Sequence, residues 1–147
     1  MRFLKRIGYA VLGTVLYAGS SPVMADVVVV VVVASGSPLK TLARNQVADI
    51  FLGKTSRFPS GAQAIPIDQT EDSPIRDEFY STFTGKSASQ LKAHWSKIIF
   101  TGRGQPPQAV SSSAEVKKRI AENSDTIGYI DAREVDNSVR ALPIDPQ

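Results

Sequence analysis

The chain has 147 residues, 42% hydrophobic and 21% charged, with no cysteine, which allows one domain with a real core and excludes two ordinary domains, disulfides and thiolate chemistry. The formal charge is +3 and the pI about 9.3, yet Arg2, Lys5 and Arg6 all precede the first acid, Asp26. Removing those three from the 17 basic residues leaves 14 against 14 acidic ones. From Asp26 onward the chain is formally neutral, so the electrostatic footprint of a nucleic-acid binder is missing.

Residues 1–25 have the three parts of a secretory signal: the cationic start, an apolar stretch from Ile7 to Ala18, and a polar tail ending Val23-Met24-Ala25. The stretch is about 12 residues, well short of the roughly 20 that a spanning helix needs. Cleavage after Ala25 is expected, leaving a domain of residues 26–147 without membrane insertion. With no cysteine for a lipid anchor, the expected compartment is the periplasm.

Val27 to Val33 is an unbroken valine run of strand length, and lack of alternation implies a central strand covered on both faces, as in a parallel sheet flanked by helices. After the turn-like Ala34 to Pro38, the spacing of Leu42, Val47, Ile50 and Phe51 predicts a helix over 43–52 that Gly53 ends. Ile65 to Asp68 reads as a short strand. Ser73 then stands as an N-cap, with Pro74 at the first helical position, Ile75, Phe79 and Phe83 as a stripe, and Gly85 as terminator.

Ser87 to Gln90 matches a capping box, followed by Leu91, Trp95, Ile98 and Ile99 as a core-facing stripe. Thr101 to Pro107 reads as a loop. Ser112 to Glu115 repeats the helix-start signature ahead of Val116 and Ile120, and Asn123 ends that helix. Ile127 to Ile130 and Val139 to Ile144 read as the last strands. Strands alternating with helices imply an α/β domain of three layers with a mostly parallel sheet flanked by helices.

The chemistry inventory is thin. His94 is the single histidine, and no nucleophile or orienting carboxylate accompanies it, so it reads as a partly buried structural residue and no catalytic residue is expected. No metal or cofactor is expected either, since cysteine is missing and one histidine makes a poor site. Gly102-Arg103-Gly104 lacks the remaining elements of a dinucleotide or nucleotide loop. Lys117-Lys118-Arg119 reads as a solvated helix face.

The one segment that suggests recognition is Gln69 to Arg76, at a strand end and a helix start, where free N–H groups and the helix dipole favour an anion. On residues alone, two readings stand. Thr70, Ser73 and Arg76 supply donors to an anion, or Ser73 merely caps while Glu71 and Asp72 satisfy the helix end themselves.

Leu42 to Lys54 resembles the helix opening the second lobe of the phosphate-binding subunits of bacterial phosphate ABC importers, with the glutamine, apolar pairs and closing Gly-Lys in the family's order. Ile127 to Ile130 resembles that family's late strand, and Gln69 to Ile75 falls where it carries an Arg-Ser-Asp-Gly-Ser-Gly-Thr phosphate loop. The resemblance covers roughly residues 27–142 and implies one lobe of a type 2 periplasmic binding protein. Arginine is replaced by Gln69, serine by Thr70, aspartate by Glu71 and glycine by Asp72; Ser73 is kept, and Gly-Thr becomes Pro74-Ile75. Proline removes an N–H donor, isoleucine a hydroxyl, and Asp72 adds a like charge. Ala43 stands where the family has a serine or threonine cap.

The resemblance implies a solute-binding-like protein holding phosphate or another small oxyanion non-covalently through Gln69, Thr70, Glu71, Ser73 and Arg76. Arg76 would replace the lost arginine, and a link to phosphate uptake follows. Its alternative is a degenerate binding fold serving as a cell-envelope interaction module without ligand. A homodimer or an envelope protein is the expected macromolecular partner. N-terminal sequencing of protein from a periplasmic fraction should read Asp26-Val27-Val28; an intact Met1 form in the inner membrane would contradict the leader assignment.

Overall fold

The computed structural model describes Gly19 and residues 26–147, so the leader reading, and with it cleavage after Ala25, lies outside the described residues. In chain order the elements are β1 (Val29–Ala34), β2 (Leu42–Ala43), α1 (Arg44–Phe51), β3 (Ile65–Gln69), α2 (Pro74–Thr84) and α3 (Ala88–Phe100). There follow β4 (Gln108–Val110), α4 (Ser113–Glu122), β5 (Thr126–Asp131), a 3-10 turn (Ala132–Glu134), β6 (Val139–Ala141) and β7 (Ile144–Asp145).

Five strands form one sheet in the order β4-β3-β5-β1-β6. β3 runs parallel to β4 and β5, whereas β1 is antiparallel to both β5 and β6. Four strands therefore share one direction and β1 alone opposes them, which makes the sheet mostly parallel. As the valine run predicts, β1 lies inside the sheet, between β5 and β6, next to the middle strand β5. What the missing alternation reports is burial of two faces. Val31 and Val33 enter one core with Phe51, Phe79 and Tyr129, while Val32 enters the other with Val116, Ile120 and Ile130. Helices α1, α2 and α3 supply the first core and α4 the second, so the domain has three layers.

Local chemistry explains the element ends. α1 begins after Ala43, which offers no side-chain acceptor; instead the Gln46 Oε1 accepts the Ala43 N–H at 2.8 Å. Gly85 ends α2 in the left-handed region at φ 67°. Ser87 and Gln90 form the reciprocal capping box, the Ser87 hydroxyl accepting the Gln90 N–H and Gln90 Oε1 accepting the Ser87 N–H at 2.9 Å. Ser112 accepts the Glu115 N–H.

Three expectations are corrected. The valine run enters the sheet at Val29, leaving Val28 58% exposed, because the partner strand β5 ends at Asp131, opposite Val29. The predicted last strand divides at Leu142-Pro143. The Leu142 N–H donates to the Val31 carbonyl, Pro143 has no N–H to continue, and Ile144–Asp145 pairs with β2 instead. Along α3, Leu91 and Trp95 are buried, but Ile99 is 49% exposed.

A glycine is required at 128. A Cβ there would sit 2.5 Å from Val116 Cγ1, so α4 packs directly on the β5 backbone. In β1, Val30 is only half-buried, whereas Val32 is fully enclosed. Val32→Asp should cost several kcal/mol and abolish cooperative folding, since it buries an unpaired charge between sheet and α4. A thermal melt within a few degrees of the parent would contradict this placement.

Candidate functional site

Asp68, 3% exposed, sits next to the end of β3. Its Oδ1 accepts the Gln69 amide N–H at 2.8 Å and the Tyr129 hydroxyl; its Oδ2 accepts the Tyr80 hydroxyl at 2.8 Å and the Arg76 Nε–H at 3.4 Å. Tyr80 comes from α2 and Tyr129 from β5, so one carboxylate ties a strand end, its neighbouring strand and the following helix together. A buried carboxylate is tolerable only when its lone pairs are met, and here four donors meet them. Burial pushes both phenols above their ordinary values and the Asp68 charge raises them further, so both stay protonated and donating.

Arg76, one turn into α2, meets Asp68 through Nε only. Its guanidinium lies 5.2 Å from the Tyr80 ring centre, a cation–π distance, and its side chain is 11% exposed. Its two terminal nitrogens make no hydrogen bond among the described residues. Arg76 lines a cleft of about 580 Å³, together with Asp68, Gln69, Thr70 and Glu71. Ser89, Lys92, Ser96 and Ile99 of α3 also line it.

The residues expected to contact a ligand divide. Gln69 is 2% exposed and both ends of its amide are engaged inside the protein: Nε2 donates to the Tyr129 carbonyl at 3.1 Å and Oε1 accepts the Ser73 hydroxyl at 2.8 Å. Ser73 occupies the N-cap position with Pro74 after it, but its hydroxyl goes to Gln69 and makes no cap bond. Thr70 lines the cleft while donating its hydroxyl to Asp72 Oδ1 at 2.6 Å. That bond holds the Asp72 carboxyl below its ordinary value, and Asp72 is not part of the cleft wall. Glu71 is exposed at the rim, and among the described residues the N–H groups of Glu71 and Ile75 donate to no backbone carbonyl.

Asp68, Tyr80 and Tyr129 escaped the sequence reading because nothing in one sequence says that residues 61 positions apart share a carboxylate. The α3 wall left a trace: Ser89, Lys92, Ser96 and Ile99 recur at helical spacing, on a face the apolar pattern assigned partly to the core. His94 is partly buried, as the sequence predicts, with its Nε2 2.9 Å from the Leu52 carbonyl. Among the described residues no group of three acidic or histidine side chains is placed to hold a metal.

Within residues 26–147, Tyr80 and Tyr129 are the only tyrosines. Their stabilising effect is complete below pH about 10, where the unfolded phenols start to ionise, and is lost as pH rises beyond it. An absorbance titration of this segment should show no phenol ionising near pH 10 while the fold persists, and both ionising together on alkaline unfolding. Tyr80→Phe should cost about 1–3 kcal/mol in denaturant melts by leaving an Asp68 oxygen short of a donor. A phenol titrating normally in the folded protein would break the network.

No protein-family model and no curated protein matches the sequence. Solved structures do match. A protein from Clostridium perfringens, assigned as a phosphate ABC transporter substrate-binding protein and solved with bound phosphate, superposes with a TM-score of 0.63 at 25% identity over 80% of this chain and 44% of its own. An ABC-type phosphate transport receptor from Vibrio cholerae gives 0.63 at 21% identity over 81% and 48%. PstS from Borrelia burgdorferi gives 0.60 at 13% over 80% and 47%. The last two carry the fold alone. The chain spans just under half the length of these structures, and its α/β domain has the fold of a single lobe's share of a phosphate ABC transporter substrate-binding protein.

Proposed function

We propose that residues 26–147 form an exported, periplasmic solute-binding-like domain, released from a signal peptide at residues 1–25, that binds phosphate or another small oxyanion without covalent chemistry. The observation that carries this reading is Arg76. One nitrogen is committed to Asp68, which fixes the guanidinium plane, and the two remaining nitrogens are left for the cleft at the N-terminus of α2. An arginine fork of this kind matches two oxygens of an oxyanion. The Glu71 and Ile75 amides add uncommitted donors at the helix end, and Lys92, Ser89 and Ser96 add charge and hydroxyls from the facing helix.

In this reading Arg76 is the main anchor, Thr70 and Glu71 form the rim, and Glu71 favours a protonated over a fully ionised ligand. Gln69 and Ser73 act as framework, shaping the turn from which the amides project. The likeness to a phosphate-bound structure supports phosphate as the first ligand to test and suggests a link to phosphate uptake. Enclosure would come from a second copy or an envelope protein seated over the open side, where the 49% exposed Ile99 lines the cleft.

One observation favours the alternative, a fold retained as a cell-envelope interaction module without ligand. The Gln69 amide is engaged by Tyr129 and Ser73, Pro74 has no N–H, and the Thr70 hydroxyl donates to Asp72. Calorimetry with inorganic phosphate separates the two. Binding should be 1:1. Arg76→Ala should weaken it by about 1.5–3 kcal/mol, Arg76→Lys should weaken it too because a point charge cannot serve Asp68 and the anion together, and Asp72→Gly should tighten it by freeing the Thr70 hydroxyl. No heat with phosphate, sulfate or small carboxylates in the wild type or Asp72→Gly would leave the interaction module as the function.

A further inference from the structure

We infer that a second cleft, on the other side of Trp95, is a binding site for an organic dianion with an apolar body. This cleft, of about 730 Å³, abuts the first along a shared wall of Trp95, Pro106 and Pro107. Lys54 and Arg57, from the loop after α1, and Arg103, from the loop after α3, all line it, and no aspartate or glutamate does. The segment from Asp26 onward is formally neutral, so three cations around one concavity without an acid are a local arrangement and no reflection of composition.

The cations are weakly committed elsewhere. Lys54 lies 3.7 Å from Asp49 with both side chains largely in water, where such a pair contributes little. Arg57 uses one terminal nitrogen on the Gly61 carbonyl at 2.8 Å. Arg103 has no side-chain partner among the described residues. The loop bearing Lys54 and Arg57 is seated firmly: Gly53 has φ +73°, and a Cβ there would lie 2.8 Å from the Trp95 ring. Trp95 itself is 7% exposed, and its Nε1–H is buried without an acceptor.

Size and lining set the ligand class. A volume of this order suits a small organic molecule better than a bare inorganic ion. Ile50, Trp95, Pro106 and Pro107 give the same cleft apolar lining beside the charges. A ligand with a compact dianionic head and a flat apolar body, whether a phosphate monoester or a dicarboxylate, satisfies both halves. This site is independent of the Arg76 cleft and stands whether or not that cleft binds phosphate.

Trp95 is the only tryptophan, so its fluorescence, paired with equilibrium dialysis, reads the site in the whole protein. Phenyl phosphate represents the monoester and phthalate the dicarboxylate, with inorganic phosphate as the head without a body. At least one organic probe should bind saturably at 1:1. Arg57→Gln and Arg103→Gln should each weaken it about tenfold or more, raised salt should weaken it, and Arg76→Lys should leave it unchanged. The inference is overturned if neither organic probe binds by dialysis, if binding ignores Arg57 and Arg103, or if it falls with Arg76→Lys, which would seat the probe in the first cleft. Inorganic phosphate binding as tightly as both probes with the same dependence on Arg103 would overturn the organic class.

Discussion

A single buried carboxylate organises the end of this domain at which β3 meets α2. Asp68 draws donors from β3, α2 and β5 onto two oxygens, and each donor fixes something else. Through Tyr129 it reaches the aromatic core, where that ring stacks on Phe79 at 4.0 Å and meets Phe51 edge-on. Through Tyr80 and Arg76 it sets the angle at which α2 leaves the sheet. The charge of Asp68 is compensated only if Arg76 stays beside it, so the same pair that stabilises the turn also holds in place the cation that lines the cleft at the start of α2.

A site built on a helix N-terminus and a fork of arginine nitrogens is electrostatic, and its strength depends on how much water surrounds it. The structures that this chain resembles are about twice as long, and the cleft described here is open on one side. An oxyanion in it would keep part of its hydration, which lowers affinity relative to an enclosed site. Exposed apolar surface at Ile99, in the cleft wall, is a place where a covering partner would gain from burial.

Much of the fold was legible because its signals are local. Capping at Ser87, the left-handed terminator at Gly85, and the stripe of Phe79 with Ile75 each need only neighbouring residues. The valine run announced two covered faces, although it could not announce direction, since antiparallel β1 and a parallel strand bury side chains alike. β4 and the division at Pro143 were hidden, being two or three residues long and specified by their partners. At the site the loop position was legible and the chemistry only partly so. Gln69 and Ser73 carry ligand-like groups, but whether an amide faces a cleft or its own turn is decided by Tyr129, sixty positions away. Arg76 was visible as a cation one turn into a helix; Asp68, which aims it, was not.

The most direct measurement is a 15N-edited NMR titration of residues 26–147 with inorganic phosphate. An anion seated on the Arg76 fork should shift the Arg76 side-chain resonance and the Glu71 and Ile75 amides together, with one saturation curve, while amides of β1 and α4 stay put. Shifts confined to other parts of the surface, or none at saturating phosphate, would contradict an oxyanion site organised by Asp68 and Arg76.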